Sequence, residues 1–139
     1  MTQDDWRSRA AATTFATLAT VALDGRPHLV PIVHAVVADV IVFAVDHKPK
    51  SDRRLARLRH IESEPRVAVL FDERSDDWTA LWWVRADGIA TINREQPDPA
   101  AELHDRHPQY RNDPPAGPWV TIEVERWSGW SAKRHRGEV

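Results

Sequence analysis

The chain contains no cysteine, which removes disulfides, thiolate nucleophiles and the Cys-bearing zinc sites from consideration. Only five glycines occur, and none falls in a Gly-x-Gly-x-x-Gly or Walker pattern. Neither a Rossmann dinucleotide turn nor a P-loop is therefore expected, and any phosphate must be held by side chains. No apolar run approaches the roughly 20 residues of a membrane span. The opening MTQDDWRSRA has the character of neither a signal nor a transit peptide, so we expect a cytoplasmic protein without membrane contact. No charge of one sign dominates: 19 Lys and Arg face 21 Asp and Glu, for a net charge of -2. A dedicated nucleic-acid binder, whose affinity comes from neutralising many phosphates, is disfavoured.

What is present fits one compact domain over residues 1–139, large enough for a modest core. Seven tryptophans are many for this length, and such rings suit flat pockets and interfaces as well as cores. The segment from Val45 to Leu70, VDHKPKSDRRLARLRHIESEPRVAVL, organises the rest. It reads as strand, cationic loop, helix and strand. Ser51 is suited to an N-cap and Asp52 to a first turn, while Leu55, Leu58 and Ile61 recur at helical spacing. Arg53, Arg54, Arg57 and Arg59 fall mostly off that line. Lys48 and Lys50 just before a helix N-terminus make a pocket suited to a phosphate or carboxylate, although a solvated basic face explains the same pattern.

Elsewhere, Asp4 or Asp5 opens a short helix to about Ala12 with Trp6 on its inner face. Phe15 to Val33 reads as two β runs joined at Asp24-Gly25. Pro27 and Pro31 place the second run at an edge or a bulge. That run continues through His34 to Val37, turns near Ala38-Asp39 and returns as Val40 to Val45. Arg66 to Phe71 is a further strand. Ala80 to Ile92 is another, with a bend or bulge at Asp87-Gly88. Gln96 to His107 is expected as a helix stopped by Pro108, and the last strand as Trp119 to Trp127, followed by a basic tail. Six or so strands with helical inserts predict a small antiparallel barrel, mainly β.

Chemistry-bearing residues are sparse. His104 and His107 lie three apart on the expected helix, but no carboxylate motif supports a metal, and they read as surface histidines. Ser51 lacks the elbow or paired base of a nucleophile. If the run containing Trp82 and Trp83 is a strand, the two rings point to opposite faces, one into the core and one toward a ligand or second subunit. Core packing accounts for Trp127 and Trp130.

In order, ATLATVALDGRPHLVPIV, VFAVDHKPKSDRRLARL, EPRVAVLFDE, DDWTALWWVRADGIATI and VTIEVERWSGW resemble the pyridoxamine 5′-phosphate oxidase-like family, which has an FMN-binding-type split β-barrel. More narrowly, they are similar to the actinobacterial branch that uses the deazaflavin coenzyme F420. The hairpin DGRPHLVP, the loop HKPKS with its basic helix and the strand WWVRADG are the most specific elements. The resemblance implies a homodimer with each cofactor between subunits. It implies a ring resting beside Val30, Pro31, Ile32 and Val33, and phosphate contacts from His47, Lys48, Lys50 and Ser51. Trp130, or Trp78 and Trp83, would approach from the partner.

On that resemblance, the expected activity is hydride transfer between reduced F420 and a small conjugated organic acceptor. Such chemistry belongs to the cofactor, so no catalytic side chain is assigned. Water or a nearby His28 or His34 is the expected proton source. An FMN-dependent enzyme of the same fold, a non-catalytic cofactor carrier and a single-stranded nucleic-acid binder using its tryptophans are the alternatives. Vitamin B6 oxidation is not expected, because the C-terminal extension of the oxidase proper has no counterpart.

Overall fold

The computed structural model describes residues 1–45 and 52–132, with the backbone alone for residues 52–55. In chain order the elements are α1 (Gln3–Ala11), β1 (Phe15–Val21), β2 (Pro27–Val33), β3 (Ala35–Val37), β4 (Val40–Ala44), α2 (Asp52–Ser63), β5 (Arg66–Glu73), β6 (Trp82–Asn93), α3 (Ala100–Arg106), α4 (Pro108–Asn112) and β7 (Trp119–Ser131). A one-turn 3-10 helix, Trp78–Ala80, precedes β6. No helix of the described residues is long and apolar enough to cross a membrane.

All seven strands form one antiparallel sheet in the order β2-β1-β5-β6-β7-β4-β3. Its two outermost members, β2 and β3, are consecutive in the chain and separated by His34 alone. One extended run therefore pairs with β1 through its first half and with β4 through its second, and the bend at His34 curls the sheet into a split barrel. The continuous run expected from Pro27 to Val37 is broken here, because no flat strand can pair with both ends of one sheet. His34 is fully buried and fastened at its backbone and its ring. The Thr13 hydroxyl donates to the carbonyl of Ala10, so it accepts from His34 Nε2 at 2.9 Å. His107 Nε2 donates to the His34 carbonyl at 2.8 Å.

Strand alternation fills the barrel. Leu18, Ile32, Val69, Phe71, Val84, Ile122 and Trp127 meet inside it. On β4 both faces are buried: Ile41, Phe43 and Val45 point inward, while Val42 and Ala44 pack outward with Leu103, Trp119 and Tyr110. Helices α3 and α4 thus cover the β3–β4 side. α3 ends before Pro108 as expected, though it starts at Ala100 rather than Gln96, and Pro108 then opens a further helix, α4, at a position that needs no N–H donor. β7 runs on to Ser131 rather than ending at Trp127, because Trp130 pairs in register with Trp83. The expected bulge is present: the β6–β7 register shifts between Asp87 and Gly88, where a side chain would strike the Glu123 carbonyl.

α1 begins at Gln3, slightly ahead of its acidic residues, since Thr2 and Asp5 form a reciprocal capping box. The helix is more than a flank. Trp6 enters the core and lies against Gly129, where a Cβ would sit 2.8 Å from the indole. The Gln3 side chain bonds both backbone groups of Trp127, and Arg7 joins the Trp127 indole in bonding Asp39. Those two donors hold the Asp39 carboxyl below its usual range.

Burial, reinforced by the charges of Arg106 and His107, lowers the His34 pKa from 6.5 to about 3. An unfolded chain binds this proton at a pH where the folded one does not, so stability is complete above pH 6.5 and is lost as pH falls toward 3. From pH 7.5 to 5.0, urea unfolding is expected to show a loss of about 2 kcal/mol from this residue alone. His60, also lowered by burial, adds to the same slope. His34→Gln should be less stable at pH 7.5 yet flatter across the interval; an unchanged slope would contradict the assignment.

Candidate functional site

The segment Val30 to Val33 divides by strand alternation. Val30 packs against the core and Ile32 is buried in it, whereas Pro31 is exposed and Val33 half-buried on the outer face. Only Pro31 and Val33 can therefore offer side chains to a ring outside the barrel; Val30 and Ile32 offer backbone. Pro27 and Pro31 share one parity on a strand that pairs only with β1 among the described residues. A strand with two such prolines keeps its ladder when their missing N–H positions face the open edge. The same parity turns the Leu29 and Val33 N–H groups and the Leu29 and Pro31 carbonyls to that edge, where no second strand pairs with β2 among the described residues.

Around these residues the outer face is largely apolar, with a cavity of about 370 Å³ toward Val21 and Pro27 that Arg66, Asp87 and Glu125 also line. Thr17 pairs with both Pro31 and Leu70, and Ala19 with both Leu29 and Ala68, so short side chains run down its centre. Leu29, Phe15 and Leu70 rise at its margins, 66%, 65% and 37% exposed. Trp83, 37% exposed, stands further along the same face beside its cross-strand partner Trp130, which is half-buried. Trp78 lies on the 3-10 turn and is 78% exposed. Trp82, by contrast, packs against the core, under the Arg9 guanidinium and bonded through its indole to Glu73. The tryptophan pair splits between faces as strand geometry requires.

His47, Lys48, Lys50 and Ser51 lie outside the described residues. The points where the chain leaves and resumes are defined: Val45 donates to the Pro118 carbonyl at 2.9 Å, and α2 begins at Asp52. Pro118 also lines a cavity of about 540 Å³ between α2 and the loop before β7, whose walls include Arg59, Arg94, Glu62 and Leu58. Neither arginine makes an ion pair among the described residues. Arg94 carries no sequence signal, because it follows β6 in an unpatterned polar stretch and reaches the basic helix only in three dimensions.

None of the described histidines faces this outer surface as a free group. His28 and His60 meet inside the barrel with ring centroids 4.8 Å apart, and His60 Nδ1 contacts the Thr20 hydroxyl at 3.0 Å. His34 is neutral and enclosed, which unsuits it as a proton donor to an external ring. His107 is buried rather than at the surface, because it closes the barrel through His34. Among the described residues no three His, Asp or Glu side chains gather as a metal site.

The sequence profile described as pyridoxamine 5′-phosphate oxidase matches residues 2–131. No curated protein sequence gives a significant match. Among solved structures, a conserved hypothetical protein from Mycobacterium tuberculosis superposes with a TM-score of 0.77 at 21% identity, covering 98% of this chain and 88% of that one. The FAD binding protein from Mycobacterium smegmatis gives 0.65 at 16%, covering 94% and 96%. HutZ, the heme storage protein from Vibrio cholerae, gives 0.66 at 16%, covering 92% and 90%. At these identities the superpositions establish a common fold, and the profile, which spans nearly the whole chain, establishes kinship: the protein belongs to the pyridoxamine 5′-phosphate oxidase family.

Proposed function

We propose that the protein is a homodimeric reductase that binds coenzyme F420 and passes hydride from its reduced form to a small conjugated organic acceptor. The observation that carries this reading is the uncovered outer face of β2, β1 and β5, a largely apolar shelf of short side chains bordered by an open strand edge. A planar ring fits such a shelf: Pro31 and Val33 meet its face, and the Leu29 and Val33 N–H groups meet its polar edge. The bound cofactor supplies the hydride chemistry. The chain's own work is to bind, orient and exclude water, with His47, Lys48, Lys50 and Ser51 on the phosphate and Trp78, Trp83 or Trp130 walling the acceptor side. F420 is favoured over FMN by the likeness of the HKPKS and WWVRADG segments to the deazaflavin-using branch.

A flavin enzyme is the second reading, favoured by the FAD binding protein among the structural neighbours. A carrier without turnover is the third, favoured by the heme storage protein. Titrating the purified protein with F420, FMN, FAD and hemin, read by fluorescence quenching, separates them. The lowest Kd is expected for F420; a lower one for FMN or FAD moves the assignment to a flavin, and tight binding of hemin alone removes it.

Lys50→Ala should weaken cofactor binding by about 1.5 to 3 kcal/mol, the range of a hydrogen bond to a charged group. Arg26→Ala, on an exposed hairpin far along β2, should cost little. Equal small effects at low and raised salt would leave the loop as a solvated charged stretch.

A second copy of the chain is the proposed cover for the shelf, burying about 1,200 to 2,000 Å² in all. Light scattering should report a dimer at micromolar concentration and a monomer for Leu29→Glu, with the circular dichroism spectrum unchanged. A wild-type monomer would end this part of the proposal.

A further inference from the structure

The cavity of about 540 Å³ between α2 and the loop before β7 shares no lining residue with the shelf. Its floor is apolar: Leu58 of α2 and Ile92 near the end of β6 pack against the barrel core, and half-buried Pro118 stands beside them. Three charged side chains, Arg59, Glu62 and Arg94, form an exposed rim around that floor. A volume of this size falls within the roughly 300 to 1,000 Å³ of small-molecule sites, which combine an apolar lining with a few polar groups.

Both sides of the cavity are fixed by the fold. Gly117 adopts a φ of +89°, and the side chain it lacks leaves room for the Trp119 indole, which a Cβ would strike. Trp119 is itself buried with Leu103 of α3. The Pro118 carbonyl accepts from the Val45 N–H at 2.9 Å, which ties this wall to the end of β4. On the other side, α2 is anchored by Ile61, buried in the core. The cavity thus stands between two held walls before any ligand arrives, and little ordering cost attaches to filling it.

We infer that this cavity binds a small organic anion, a carboxylate carried on an apolar ring. Arg59 and Arg94 reach it from segments distant in sequence, and neither makes an ion pair among the described residues. Arg59 and Glu62 stand at the i, i+3 spacing at which helical charges can pair, yet no bridge joins them. Two cations against one carboxylate leave the rim positive. A guanidinium presents its donors in a fork that matches the two oxygens of a carboxylate. Because these groups stand in solvent, each attraction is modest and screened by salt. Selectivity comes from adding both to the contact of the ring with Leu58, Ile92 and Pro118. A neutral ring of the same shape gains the contact alone. The inference is independent of the proposed cofactor, since none of these residues is assigned to its ring, its phosphate or the acceptor.

The test uses the full chain without added cofactor and a matched pair of probes, naphthoate and naphthamide, titrated by saturation-transfer NMR. Naphthoate should bind more tightly than naphthamide, and the difference should shrink as salt is raised. Arg59→Gln and Arg94→Gln should each weaken naphthoate several-fold and leave naphthamide unchanged. Glu62→Gln, which removes the one carboxylate of the rim, should strengthen naphthoate, an effect that damage to the fold does not produce. Arg26→Gln, on the exposed hairpin outside the cavity, is the control for general surface charge and should change neither. Equal affinity for the two probes, no binding of naphthoate, Arg59→Gln and Arg94→Gln that match Arg26→Gln, or Glu62→Gln that fails to strengthen binding overturns the site.

Discussion

The bend at His34 is the constraint on which the rest of the molecule depends. It lets one extended run serve as both outermost strands of the sheet, so the sheet's two ends are joined by covalent continuity. A polar residue at such a buried bend is costly unless it is bonded, and His34 is bonded at its carbonyl and Nε2 while Nδ1 has no partner among the described residues. Thr13, at the end of α1, accepts from the ring, and His107, between α3 and α4, donates to the carbonyl. Two helical segments distant in sequence are thereby docked on one residue. Because the Thr13 proton is already given to Ala10, the bond fixes the His34 tautomer with its proton on Nε2.

Barrel closure in this manner creates two unequal outer faces. On the β3–β4 side, α3 and α4 bury Val42, Ala44 and Trp119, and that half is complete within one chain. On the β1–β2–β5 side, Phe15, Leu29 and Leu70 stay uncovered in a continuous patch. Contiguous apolar surface of this kind is uncommon on a self-sufficient monomer and marks a place where something else sits. A cavity of about 210 Å³, lined by Phe15, Val33 and Tyr110 among others, lies on the border between the two halves.

The electrostatics divide the molecule in a similar way. Arginines gather along α2 and at the end of β6, near the exit of β4, whereas the centre of the shelf carries the neutral side chains of Thr17, Ala19 and Ala68, with Arg66, Asp87 and Glu125 at one end. A ligand with an anionic end and a planar neutral end would find both kinds of surface on the same protein. The buried histidines take no part in this division. His34, His60 and His107 hold elements together, and their burial explains why their chemistry is structural.

Local patterning determined much by itself: the Asp24-Gly25 hairpin, the bulge at Asp87-Gly88, the amphipathic α2, the split of Trp82 and Trp83 between faces, and the family likeness that predicted a split barrel. Each depends on neighbours within a few residues, where alternation, helical spacing and turn chemistry act directly. Tertiary structure alone decided that the run through His34 is two strands, that Pro108 starts a helix, and that β7 extends through Trp130. It decided that His107 is interior, and that Arg94 faces α2. These outcomes turn on pairing between segments far apart in the chain. No local preference encodes such a pairing, and closure of the sheet imposes it.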